Sequence, residues 1–181
     1  MTTPWPLRLA RMEDIPALEA LIPLSVRTLQ APYYSAAQME AAFGAIFGVD
    51  RQLIADGTYF VAEDDGRIVA CGGWSKRKSL FGGDSARGGE DPMLDPSREP
   101  ARVRAFFVHP DWARRGIGKS ILASCESAIV TAGFPVAELV ATLAGEPLYL
   151  AGGYRETERY EVPMGGGLSL LVVRMRKQLA Q

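Results

Sequence analysis

The run FFVHPDWARRGIGKSIL, from Phe106 to Leu122, constrains this chain most. Phe106, Phe107 and Val108 read as the end of a strand, His109-Pro110-Asp111 as a turn, and Gly116-Ile117-Gly118 as the entry to a helix. The first amides of a helix lack intrahelical partners, and the helix dipole places positive potential at the same end. Gly116 and Gly118 keep side chains out of the way of a ligand approaching the backbone, while Arg114, Arg115 and Lys119 add full charges. A strand that feeds such a helix start favours an anion, so a phosphate-bearing ligand is expected.

Spacing separates the phosphate-binding designs. A Walker loop requires G-x-x-x-x-G-K-[ST]; Gly118-Lys119-Ser120 fits its end, but Ala113 stands at the first glycine. Neither Leu139-Val140-Ala141 nor Ile68-Val69-Ala70 runs into the Asp that an NTPase uses for its metal. A dinucleotide fingerprint wants a third small residue, and Ile121 occupies that place.

The remaining design is the acetyl-CoA loop, and here the chain resembles the GCN5-related N-acetyltransferase (GNAT) family. That family's signature is [RQ]-x-x-G-x-[GA] after a strand ending in V-x-P; Val108-His109-Pro110 precedes Ala113-Arg114-Arg115-Gly116-Ile117-Gly118. Ala113 replaces the usual Arg or Gln, but backbone amides supply most of the family's pyrophosphate contacts, and that change leaves them in place. Farther on, the run from Thr142 to Tyr154, TLAGEPLYLAGGY, resembles the family's second half, a short helix that carries a Tyr and ends in a G-[FY] pair. Thr142 stands where the family often has Asn. The resemblance spans residues 55–176.

This resemblance implies an α/β fold: a mixed, mostly antiparallel sheet with splayed central parallel strands and flanking helices, in one acetyltransferase domain over residues 1–181. The splayed strands would be residues 103–108 and 137–142. Acetyl-CoA would be the cosubstrate, with no metal. Phe106, Phe107 and Val108 would lie along the pantetheine arm and acetyl group, Arg114, Arg115, Gly116, Ile117, Gly118 and Lys119 around the pyrophosphate, and Thr142 beside the cofactor. Tyr149 matches the general-acid tyrosine, and Tyr154 a packing position. The reaction implied is direct acetyl transfer to a primary amine of a small molecule or peptide. Two other classes remain open: a non-catalytic acyl-CoA-binding sensor and a P-loop-like NTPase.

The general base is not assigned from sequence. The strand before the loop offers Arg102 and Arg104 but no acid. Glu63, Glu138 and Glu146 qualify by residue type alone. His109, the single histidine, has a suitable intrinsic pKa, yet its place between Val108 and Pro110 favours a structural role. Trp74, Arg77 and Lys78 run toward a long loop without naming an acceptor.

Composition agrees with one compact unit. The 181 residues are 48% hydrophobic, enough for one substantial core. A formal net charge of −1 gives no general drive toward nucleic acid or an anionic membrane. Cys71 and Cys125 form no metal or redox motif and read as buried hydrophobes. With no leader-like or membrane-length apolar segment, a cytoplasmic protein is expected; a homodimer is left open.

The periodicity predicts a strand at 7–10, then a helix carrying Ile15, Leu18, Leu21 and Ile22, with Pro23 kinking or dividing it. Ser35 should cap a second helix. Segments 58–63 and 68–74 should form a hairpin around Asp64-Asp65-Gly66. Ile117, Ile121, Leu122, Cys125, Ala128 and Ile129 form the apolar stripe of the helix after the glycine loop. A strand at 137–142, a short helix at 145–150, and a closing hairpin of 154–163 with 168–176 complete the order. Residues 75–100, rich in Gly and Pro, are expected to form a mobile cover over the acceptor cleft or a disordered insertion.

Overall fold

A computed structural model describes residues 5–86 and 88–179. Strand β1 (Leu7–Leu9) leads through a 3-10 turn into helix α1 (Ile15–Leu29), followed by α2 (Ala36–Ala42) and α3 (Arg51–Ala55). The hairpin β2 (Tyr59–Asp64) and β3 (Arg67–Ser75) precedes β4 (Ala101–Val108), helix α4 (Ile117–Thr131) and β5 (Val136–Thr142). Helix α5 (Glu146–Ala151) and the hairpin β6 (Arg155–Gly165) and β7 (Leu168–Gln178) close the chain. The seven strands form one sheet in the order β1-β2-β3-β4-β5-β7-β6. Every neighbouring pair is antiparallel except β4 with β5.

Local chemistry explains the elements. Asp65 and Gly66, both at positive φ (49° and 74°), make the two-residue turn that matches strand twist between β2 and β3. Ser35 caps α2 by accepting from the Gln38 amide at 3.1 Å, while Gln38 Oε1 accepts from the Ser35 amide at 2.8 Å. Helix α1 is continuous through Pro23 rather than divided. Pro23 removes one amide donor, but apolar packing of Leu18, Leu21, Ile22 and Val26 holds both halves against the same core. Helix α3 has too few residues to show periodicity in sequence; Asp50 starts it by accepting from the Gln52 and Leu53 amides.

Two apolar layers sandwich the sheet. The stripe of α4 packs with Val103, Leu139, Tyr149 and Tyr154 on one face. Helices α1, α2 and α3 pack with Tyr59, Phe107 and Val172 on the other. Between α1 and α2, Tyr34 ties this second layer to the sheet: its hydroxyl donates to the Leu171 carbonyl at 2.7 Å and accepts from the Leu143 amide at 2.9 Å. Tyr34→Phe leaves both backbone groups without that partner, with an expected loss of about 1–3 kcal/mol. Urea unfolding checks it, as a lower midpoint at unchanged slope.

Candidate active site

The parallel pair β4/β5 is joined only near its start, at Ala101 opposite Ala137 and Arg102 opposite Glu138. Beyond that point β4 stays with β3 as far as Val108, and β5 stays with β7 as far as Thr142. The two strands therefore separate, and a cleft of about 640 Å³ opens between them. A bulge in β4 re-aims its side chains there. Ala105, at φ 60°, is the extra residue between the Arg104–Gly73 and Phe107–Cys71 pairs. Val103 faces the α4 layer before the bulge; after it Phe106 faces that layer and Phe107 the opposite one. Gly72 makes room, because a β-carbon there would stand 2.6 Å from the Phe106 ring. In the opened stretch the Val108 amide donates to Ser25 Oγ of α1 at 3.2 Å rather than to β5.

At one end of the cleft lies the glycine loop. After the 3-10 turn Pro110–Trp112, Arg114 and Gly116 both adopt positive φ, 59° and 83°. Gly116 offers no side-chain cap to α4, and the first helical bond runs from the Ser120 amide to the Gly116 carbonyl. The amides of Ile117, Gly118 and Lys119 thus head a helix without intrahelical acceptors, the arrangement that suits an anion. Of the residues singled out from sequence, Phe106, Phe107, Val108, Arg114, Gly116, Ile117, Gly118, Lys119, Thr142 and Tyr149 all line this cleft. Arg115 is not in its wall; its carbonyl accepts from Trp5 Nε1.

Tyr149 projects from α5 into the cleft wall and is 8% exposed. Its ring meets Phe106 edge-on at 5.9 Å and Tyr154 at 6.0 Å. Burial pushes its phenol well above the ordinary tyrosine range, so the group is neutral and carries its proton. Tyr154 is fully buried and lies outside the cleft wall. Thr142 shapes the turn into α5 by accepting from the Gly145 amide through Oγ1 at 3.2 Å and through its carbonyl at 3.1 Å.

The four candidates for a base are all engaged elsewhere. Glu63 pairs with Arg8 at 2.7 Å and Glu146 with Arg159 at 2.6 Å. Glu138, 1% exposed, accepts from Arg102, Arg174 and Arg176. Burial opposes its charge, but these hydrogen bonds and the neighbouring guanidinium charge outweigh burial and hold the carboxyl below its usual pKa. His109 is buried against Trp112; Nδ1 faces the Asp111 amide at 3.1 Å and Nε2 faces Arg67 at 2.9 Å. No Asp, Glu or His among the described residues lines the cleft.

The cleft wall also takes in the last turns of α1, the Ile46 to Gly48 stretch, and Leu80, Phe81 and Gly82 of the long insertion. That insertion is fastened rather than loose along this stretch. Arg77 pairs with Asp56 at 2.8 Å and donates to the Asp91 carbonyl at 3.1 Å. The Lys78 amide donates to Pro92 and the Leu94 amide to Lys76. Arg104, buried on β4, pairs with Asp50 at 3.1 Å and donates to the Gly82 carbonyl. Where a mobile cover is expected, residues 77–84 are tied to the body by the part-buried Arg77–Asp56 pair and by the hydrogen bond from buried Arg104 to Gly82, partners that lie far away in sequence.

Comparison with known proteins agrees with this geometry. The acetyltransferase (GNAT) domain model matches residues 55–156, more than half of the chain. The chain belongs to the GNAT acetyltransferase family. A GCN5-related N-acetyltransferase structure from Rhodopseudomonas palustris is 20% identical at TM-score 0.73, covering 99% of this chain and 98% of that one. A phosphinothricin acetyltransferase from Sinorhizobium meliloti, in complex with acetyl-CoA, is 19% identical at TM-score 0.65, covering 98% and 90%. A putative acetyltransferase from Salmonella typhimurium with acetyl-CoA is 17% identical at TM-score 0.61, covering 99% and 96%. At these identities the likeness is one of fold. No curated protein matches the sequence.

Proposed function

We propose that this chain is a single-domain, acetyl-CoA-dependent N-acetyltransferase that transfers the acetyl group directly to a primary amine. One observation carries the reading: the only parallel pair in the described sheet opens onto a cleft with an uncapped helix start at its mouth and a neutral, buried tyrosine in its wall. The residues fit the cosubstrate. Gly116 leaves open space where a β-carbon would stand, three amides head α4, and Arg114 and Lys119 flank them, as a pyrophosphate requires. The gap beside Phe106 and Val108 suits a pantetheine arm.

Acetyl-CoA, when bound, supplies an activated acyl carbon and a thiolate leaving group. The chain supplies alignment and a proton. The opened stretch of β4 aligns the acyl group against the amine. Tyr149 Oη donates its proton to the departing sulfur and is reprotonated from solvent. Because no carboxylate or histidine among the described residues lines the cleft, the amine loses its proton to water rather than to a side chain.

Calorimetric titration with acetyl-CoA, CoA and magnesium ATP tests the proposal. Acetyl-CoA and CoA are expected to bind and ATP to fail; the reverse order identifies a nucleotide-dependent enzyme. Thiol release with an amine panel then separates an enzyme from a sensor that binds without turnover. A further expectation concerns the wall formed by the insertion. Leu80→Ala with Phe81→Ala should raise the acceptor KM about tenfold by removing apolar contact, with little change in the dissociation constant of CoA. Equal losses for both substrates would make that wall a structural support only.

A further inference from the structure

The chemistry of the second substrate is written in the part of the cleft wall that α1, the Ile46 to Gly48 stretch and the long insertion contribute, on the reading that acetyl-CoA lies along β4 and the glycine loop. Leu29, Tyr33, Ile46, Phe47, Leu80 and Phe81 belong to that part of the wall. Arg104 is the cation on this side, and Asp50 already balances it. Since no carboxylate among the described residues lines the cleft, a second ammonium on a ligand would be desolvated there without a counter-charge. A ligand carboxylate would meet a guanidinium already paired.

The lining on this side also carries Thr28, Tyr33 and Arg104, and one buried acceptor beside it stands out. Gln30, the residue that ends α1, lines the cleft, and its Oε1 is buried with no hydrogen-bond partner among the described residues. Buried acceptors of this kind are uncommon because their lost hydration is not replaced. A turn of the Gln30 amide that brings Oε1 to the cleft surface would let an N–H on a bound molecule replace it. Size narrows the choice further: the whole cleft is about 640 Å³, and the pantetheine arm takes part of it.

We infer that the acceptor is a small primary amine with an aryl or alkyl body and no second charge, and that Gln30 Oε1 receives an N–H of it. The apolar walls favour the neutral amine, so its ammonium proton passes to solvent on entry. The amine nitrogen then forms the N–C bond, the C–S bond breaks, the nitrogen's surplus proton leaves to water, and Tyr149 protonates the sulfur. The products are the N-acetyl amine and CoA thiol.

The test uses the full chain, acetyl-CoA, and four probes: 2-phenylethylamine, hexylamine, 1,5-diaminopentane and lysine methyl ester. Thiol release gives kcat/KM, and calorimetry on CoA-loaded protein gives amine binding independently of turnover. The monoamines are expected to exceed the diamine and the lysine ester by about 10²-fold in kcat/KM. Gln30→Leu should raise the monoamine KM about tenfold while the dissociation constant of acetyl-CoA stays put, which also reports an intact fold. Gln30→Glu should shift relative preference toward the diamine. Charged amines used as well as the apolar ones, an unchanged monoamine KM in Gln30→Leu, or monoamines that neither bind nor react would each overturn the assignment. Where acetyl-CoA still binds, only this inference falls; where wild-type protein fails to bind acetyl-CoA, the acetyltransferase proposal falls with it. If Gln30→Leu does not fold, the wild-type panel decides alone.

Discussion

Gly118→Asp is expected to raise the dissociation constant of CoA at least about 10²-fold, near 3 kcal/mol of binding energy, while the protein stays folded. Gly118 is in the first turn of α4, where its amide has no intrahelical acceptor. A carboxylate placed there competes for those amides and repels a phosphate from the same positive potential. The effect on folding runs the other way. An acidic group in the first turn stabilises a helix by about 0.3–1 kcal/mol, and this offsets the local crowding. That crowding is limited: a β-carbon at Gly118 would stand 3.2 Å from Leu148 Cδ2, the end of a flexible side chain. Gly118→Ala separates the two causes, since it adds the β-carbon without charge and should weaken CoA far less. Calorimetry for affinity and thermal unfolding for stability read both quantities. A folded Gly118→Asp protein with wild-type CoA affinity would place the phosphates away from this loop.

The same contrast between local and distant causes decides what was legible in the sequence. The glycine-led start of α4 could be read because its parts lie within a few residues: absent side chains, a strand end, and a helix entry. The Asp65-Gly66 turn and the Ser35 cap are local in the same way. The bulge at Ala105 was not legible, since a non-glycine residue at positive φ leaves no compositional mark; strand pairing and the Tyr59 hydroxyl bonded to the Ala105 carbonyl hold it in place. The fastening of the insertion depends on Arg104 meeting Asp50 and on Arg77 meeting Asp56, pairings set by the fold. Gly and Pro content pointed to looseness where those pairs impose order. Gln30 and Ser25 were invisible for another reason. A polar residue near the end of a helix is ordinary, and only the cleft beside α1 gives these two a chemical setting. Conversely, His109 invited a catalytic role by its residue type, and its buried contacts with Arg67, Asp111 and Trp112 account for it structurally.

Tyr149→Phe is expected to lower kcat by about 10²-fold or more, with a much smaller change in the KM for acetyl-CoA. The substitution keeps the ring, and with it the edge-on contacts to Phe106 and Tyr154, so cleft shape and stability should persist. What it deletes is the hydroxyl proposed to protonate the leaving sulfur. A phenol suits that task here because burial raises its pKa above the ordinary value of about 10, so it enters each turnover protonated. The direction of that shift adds a pH signature. Wild-type activity should not fall on the alkaline side, below about pH 10, through loss of this acid. In Tyr149→Phe the remaining rate depends on water as proton donor. A better leaving group needs less help from an acid, so acyl donors carrying more acidic thiols should narrow the gap between variant and wild type. Pre-steady-state thiol release establishes whether chemistry limits turnover. With chemistry limiting, a variant that keeps wild-type kcat would return Tyr149 to packing and require the proton to come from water in the native enzyme as well.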